Sequence, residues 1–167
     1  MSDAVVGLID HVLVESRIRD LAHYALGDRS QRMARIVATL SKLTSGWYLV
    51  GLGPHFGDIV RVGENPIMFG RPASLLEEPA SEVIDYAVND ATLMGPREVS
   101  RVHMSVRHDP GEGSLLIRDE HSSTGVWIGH DGSAIPPGDW VDVEAGTLLS
   151  LGPSRTNALY CLLIGEG

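Results

Sequence analysis

The sequence predicts an all-β sandwich with a helical segment ahead of it, and three observations lead there. Gly (19) and Pro (9) are frequent among the 167 residues, which favours a turn-rich β architecture over a helical bundle. From Trp47 onward apolar residues recur with period two, and clusters of Gly, Pro, Asp and Asn break the pattern at short intervals. Short half-buried strands joined by turns require that pattern. Ahead of Gly46 the spacing is helical, and only Gly7 and Gly27 interrupt it. Charge divides at the same place: residues 1–45 hold six basic and five acidic residues, residues 46–167 seven and seventeen. Two parts follow, a helical extension over 1–45 and a sandwich over 46–167.

The elements can be taken in order. Val5, Leu8, Ile9, Val12 and Leu13 share one helical face, and Ile18, Leu21, Ala22 and Ala25 continue it on a shifted face. Gly27 is the expected stop. Asp28 with Gln31 resembles a capping box, and Met33, Ile36, Val37, Leu40 and Leu43 form the stripe of a second helix. Two short helices cannot bury both stripes against each other. They dock on the second part or pair with another copy as a homodimer. Expected strands are Trp47–Val50, Ile59–Val62, Pro66–Phe69, Tyr86–Val88, Val102–Arg107, Ser114–Arg118, Gly125–Ile128, Trp140–Val143, Thr147–Leu151 and Leu159–Ile164. Pro72–Asp85 breaks the rhythm with Glu77, Glu78, Glu82 and Asp85 and no basic residue beyond Arg71. It reads as a solvated insertion, either an acidic loop or a short helix between Leu75 and Glu78.

Composition excludes several classes. One cysteine, Cys161, rules out an intramolecular disulfide framework and a cysteine-based zinc cluster. It falls in an apolar terminal strand and is expected to be a buried small residue rather than a nucleophile. A net charge of −9 opposes non-specific binding to nucleic acid or anionic lipid. The apolar run Ala4–Val14 is interrupted by Asp10 and too short to span a bilayer, and Asp3 stands where a signal peptide carries positive charge. A cytoplasmic location is expected.

Chemistry gathers in three pieces. Gly70-Arg71 ends one strand, Ser100-Arg101-Val102-His103 opens another, and Ser122-Ser123-Thr124-Gly125 leads into a third. All three sit at strand–loop junctions, where a sandwich presents side chains at one end. Arg71 and Arg101 offer planar forks of donors suited to an oxyanion, and Ser100, Ser123 and Thr124 offer hydroxyls. Such a set can hold a phosphate dianion with no general base, metal or cofactor.

Gly-Arg, then Ser-Arg-x-His, then a Ser-rich turn ending in Gly resembles the forkhead-associated (FHA) family. Gly146 followed by Leu148-Leu149-Ser150-Leu151-Gly152 resembles that family's tail. The likeness covers roughly Trp47–Ile164. It implies an eleven-stranded β-sandwich whose loops bind phosphothreonine peptides, a recognition mode built on arginine. A small apolar pocket for the threonine methyl would favour phosphothreonine over phosphoserine. Carried onto this chain, Arg71 and Ser100 would contact the phosphate, Ser123 would help hold it, and Arg101 and Thr124 would fix the neighbouring peptide. His103 would bridge loops through its ring nitrogens, and Gly70 and Gly125 would permit tight turns. The partner would be a Thr-phosphorylated protein or peptide, with a Ser/Thr kinase as the upstream switch. Two positions depart from the family: Thr124 stands where an Asn amide usually grips the peptide backbone, and Thr147 stands for the acidic residue after Gly146. The alternative is an FHA-fold scaffold subunit, such as part of a secretion assembly, without phosphate recognition.

Other signals carry less. Gly51-Leu52-Gly53-Pro54-His55-Phe56-Gly57 resembles a dinucleotide loop, but Pro54 and the alternation of Ile59, Val60 and Val62 point to a hairpin turn. His103, His108, His121 and His130 fit no metal spacing. Ser100, His103 and Asp119 lack a nucleophile elbow, so no enzyme is expected. Trp127 is expected in the core, and Trp47 and Trp140 as loop anchors.

Overall fold

The computed structural model describes residue 3 and residues 5–8, 29–55, 58–72, 84–92, 96–129 and 132–165. Residues 5–8 are helical. Helix α1 (Arg29–Leu40) follows, then β1 (Gly46–Gly51), β2 (Ile59–Val62), β3 (Ile67–Gly70), β4 (Tyr86–Ala87), β5 (Met104–Asp109) and β6 (Ser114–Asp119). The chain continues through β7 (Val126–Ile128), β8 (Ser133–Ala134), β9 (Trp140–Val143), β10 (Leu148–Leu151) and β11 (Ala158–Ile164).

Two sheets stack into a sandwich. One has six strands in the order β2-β1-β11-β10-β7-β8, the other five in the order β4-β3-β5-β6-β9. Pairing is antiparallel except between β3 and β4. Alternation fills the space between the sheets: Leu49, Phe69, Met104, Val106, Leu115, Ile117, Val126, Leu149, Leu151 and Cys161 form one core. The architecture is the expected FHA-like sandwich, and every expected strand is present with ends shifted by a residue or two. Only β8 went unforeseen, since two exposed residues have no period to read. Among the described residues no helix is long and apolar enough to cross a membrane.

The helical segment is docked. Leu8, Ile36 and Leu40 are buried against Tyr48, Val50, Leu52, Ala158, Tyr160 and Leu162 on the outer face of the six-stranded sheet. β1 and β11 therefore bury both faces, which is why GWYLVG and ALYCLLI read as nearly unbroken apolar runs. The expected continuation of the first helix, Gly27, Asp28 and the 75–78 segment lie outside the described residues.

Candidate functional site

The three pieces meet at one end of the sandwich. β3 closes with Gly70 hard against the next connection: a Cβ there would stand 1.8 Å from the Arg101 carbonyl oxygen, so only glycine fits. Past it, Arg71 N–H donates to Ser100 O at 2.8 Å, and Arg71 Nε–H donates to Val99 O at 3.1 Å. Ser123 N–H from the β6–β7 loop donates to Ser100 Oγ at 3.0 Å, and the two seryl oxygens are 3.4 Å apart. Arg71, Ser100 and Arg101 are half-buried and Ser123 is exposed. Arginine and hydroxyls from separate connections thus share one solvent-facing rim.

His103 is the pin behind that rim. It is fully buried. Its Nδ1 accepts Ser100 N–H at 3.0 Å, which leaves the proton on Nε2 to be donated to Gly125 O at 3.0 Å. Burial pulls its pKa below the usual histidine value, against the opposing effect of the Gly125 bond and of Asp119, Asp90 and Glu98. The ring is a neutral two-ended brace between the Ser100 and Gly125 backbones. Gly125 adopts φ 84°, a left-handed turn that glycine makes without strain.

Thr124 turns inward. Its hydroxyl donates to Glu98 O at 2.6 Å, so its one donor ties the β6–β7 loop to the β4–β5 connection.

A second brace was invisible to motif reading. The Asp90 carboxylate accepts the backbone N–H groups of Glu98 (2.6 Å), Val99 (2.9 Å) and Thr92 (3.0 Å) and the Asn157 amide (3.1 Å). Asn157 Oδ1 in turn accepts Ala91 N–H at 3.0 Å and His55 Nε2–H at 2.8 Å. Burial disfavours the Asp90 charge, but the bonds from Val99, Thr92 and Asn157 outweigh it and hold the carboxyl well below its usual range. The network fastens the stretch carrying Val99 and Ser100 to the head of β11. The one sequence signal was Asn157, a polar residue directly abutting the apolar run of β11.

The tryptophans divide. Trp47 Nε1–H anchors the β5–β6 turn through Gly113 O at 3.1 Å. Trp127 corrects its expectation: Val126 takes the core position, so the pleat sends Trp127 to the outer face. There its Nε1–H donates to Thr124 O at 2.9 Å. β1 and β2 pair antiparallel across the Gly53–His55 turn, a hairpin rather than a dinucleotide loop. Cys161 is buried, which pushes its thiol pKa up. Among the described residues no His, Cys, Asp and Glu group is placed to hold a metal ion.

The family model described as FHA domain matches residues 67–152, from β3 past β10 and across all three pieces. The chain belongs to the FHA-domain family. Solved FHA domains are similar in fold. That of an Arabidopsis thaliana hypothetical protein is 22% identical with a TM-score of 0.54, covering 74% of this chain and 90% of that one. That of the CT664 protein from Chlamydia trachomatis is 20% identical with a TM-score of 0.54, covering 72% and 100%. The MEK1 FHA domain, solved in complex with a HOP1 phosphothreonine peptide, is 10% identical with a TM-score of 0.50, covering 73% and 100%. No curated protein matches the chain.

Proposed function

We propose that this FHA domain binds phosphothreonine peptides at the rim formed by Arg71, Ser100 and Ser123. The observation that carries the proposal is the Ser123 N–H on Ser100 Oγ, with Arg71 fastened to the Ser100 and Val99 carbonyls. In this proposal the Arg71 guanidinium and the Ser100 hydroxyl receive the phosphate, Ser123 helps to hold it, and Arg101 fixes the flanking peptide, while the one Thr124 donor stays on Glu98 O. Hydrogen bonds within the rim hold Ser100 to Ser123 and Arg71 to Val99, which supports the reading because a braced site orders less on binding. A Ser/Thr kinase in the cytoplasm acts as the switch, and the N-terminal helices tether the module to a partner or a second copy. The task is docking, with no catalysis and no cofactor.

Removing a charged hydrogen bond costs about 1.5–3 kcal/mol. Arg71→Ala is therefore expected to weaken binding to a phosphothreonine peptide about 10- to 150-fold. Calorimetric titration of peptides drawn from a phosphothreonine library measures it. Equal affinity of both proteins would remove Arg71 from its role, and no binding by the wild type would end the proposal.

One observation favours a phosphate-free scaffold instead. The Thr124 hydroxyl, at the position of the family's peptide-gripping amide, is spent on Glu98 O. Under that reading Thr124→Asn gains no phosphopeptide affinity. Under ours it raises affinity several-fold, because an amide brings two donors where the hydroxyl has one.

A further inference from the structure

Each sheet ends in a two-residue strand on one side, β8 or β4, and a four-residue strand on the other, β2 or β9. The two longer edges match position for position. β2 reads Ile-Val-Arg-Val and β9 reads Trp-Val-Asp-Val, and in both the first two residues are half-buried, the third is exposed and the fourth is buried. Val60 and Val62 face the core between the sheets, as do Val141 and Val143. The third position carries Arg61 in one strand and Asp142 in the other. β2 pairs only with β1 and β9 only with β6, and among the described residues no other backbone hydrogen bond reaches either strand. Each therefore presents a row of unpaired N–H and C=O groups along its outer side. Arg61 donates to Ser45 O at 3.2 Å, but among the described residues neither Arg61 nor Asp142 has a partner of opposite charge.

A charge on an edge strand discourages the wrong partner as well as admitting the right one. Pairing β2 with β2, or β9 with β9, in the register that matches both valines sets Arg61 beside Arg61 or Asp142 beside Asp142. Like charges side by side on a sheet face destabilise the pairing. β2 against β9 has no such conflict. With Arg61 beside Asp142, Val60 and Val62 fall against Val141 and Val143 whether the strands run parallel or antiparallel. We propose that β2 of one copy adds to β9 of a second copy, joining the six-stranded sheet of one to the five-stranded sheet of the next. Backbone hydrogen bonds supply the attraction, and the Arg61–Asp142 pair sets the choice of edge and the register. The contact is heterologous, so every added copy leaves one β2 and one β9 open, and the assembly grows as a chain unless its rotation closes a ring. Four-residue edges bury little area, and a net charge of −9 sets the copies against one another, so association is weak and rises with concentration. None of the rim residues Arg71, Ser100 and Ser123 lies on either edge, so assembly does not depend on phosphothreonine binding.

The test is sedimentation velocity of the full chain over a wide concentration range. The wild type is expected to pass beyond the dimer as concentration rises. Arg61→Asp and Asp142→Arg each set like charges at the contact and are expected to weaken association about two- to thirtyfold. The double variant Arg61→Asp/Asp142→Arg restores it. An equal mixture of the two single variants restores it too, because each then offers the edge that the other lacks. A wild type that stays monomeric at every concentration overturns the proposal and leaves both edges to another protein or to solvent. Association that neither substitution changes overturns it by placing the contact elsewhere, and association sensitive to only one of them overturns it by pairing that edge with itself. A double variant as weak as the singles removes the charge pair from the contact and overturns it as well.

Discussion

The outer faces of the two sheets solve opposite problems. On the six-stranded sheet, Tyr48 and Val50 of β1 and Ala158, Tyr160 and Leu162 of β11 point away from the sandwich core and are still buried, because residues 5–8 and α1 cover them. On the five-stranded sheet, the residues facing away are Arg107, Leu116, Arg118, Trp140 and Asp142, at paired positions across β5, β6 and β9. No third layer covers them among the described residues, and β6 alternates cleanly between half-buried and buried. The same period-two strand therefore carries two messages. A strand that alternates closes a two-layer fold, and one that is apolar on both faces calls for a third layer. Leu8, Ile36 and Leu40 supply that layer, so this part of the N-terminal segment belongs to the packing.

The comparison breaks most readily at its apolar side. Leu162 is fully buried beneath the helical layer, and Leu162→Ala is expected to cost about 2–5 kcal/mol, the range for a large-to-small change in a packed core. Leu116→Ala, at a half-exposed position on the opposite sheet, is expected to cost less than about 1 kcal/mol. Urea unfolding of the two variants measures the contrast. Equal small losses would mean that the helices contribute no packing and that the apolar outer face of β11 has another purpose.

How far the sequence revealed this fold follows from the same contrast. Strands were legible because alternation is a local signal, and β1 and β11 were legible as strands although both of their faces are buried. The destination of the helices was not, because amphipathic stripes say that a face must be covered and not by what. The loop-end residues were legible as a set, since Gly70, Arg71, Ser100 and His103 belong to compact motifs. What holds them was not. Asp90 reaches Val99 and Asn157 across 9 and 67 positions, and no spacing rule reports a bond over such separations. Trp127 was misjudged because its side depends on which neighbour, Val126 or Trp127, takes the inward position, and a three-residue strand does not fix that phase.

The two braces behind the rim give the next largest effect, and pH separates them. His103 has a folded pKa below its ordinary 6.5, so the unfolded chain binds the extra proton first. Its contribution is complete above pH 6.5 and fades as pH falls below that value. Asp90 is also depressed, from 3.8. Its contribution is complete above that value and is lost as pH falls further below it. Unfolding free energy is thus expected to drop in two stages on acidification, His103 first. His103→Ala removes the upper stage and Asp90→Asn flattens the lower one. At neutral pH each is expected to cost about 1–3 kcal/mol, because backbone donors lose their acceptors. Asp90 lies at the low end because it is half-exposed. A single-stage profile untouched by either variant would dissolve the distinction between the braces.

The smallest effect sharpens the polar side of the comparison. Trp140 sits beside two guanidinium groups, with Arg107 at 5.1 Å and Arg118 at 4.6 Å from its ring centroid, and Arg118 also pairs with Glu120. Each cation–π contact at such an exposed site is worth about 0.5–1 kcal/mol. If the bare sheet face gains its order from this stack, Arg107→Ala and Trp140→Ala are coupled, and the double variant costs less than the sum of the singles. Among the described residues Arg107 has no carboxylate partner to confuse the cycle, whereas Arg118 adds the screened contribution of Glu120. Raising the salt concentration should therefore weaken the Arg118 contribution more than that of Arg107. Strict additivity of Arg107→Ala and Trp140→Ala would reduce the stack to mere proximity. The face would then owe its order to the core residues on the inner side of the same strands, as the alternation of β6 alone would allow.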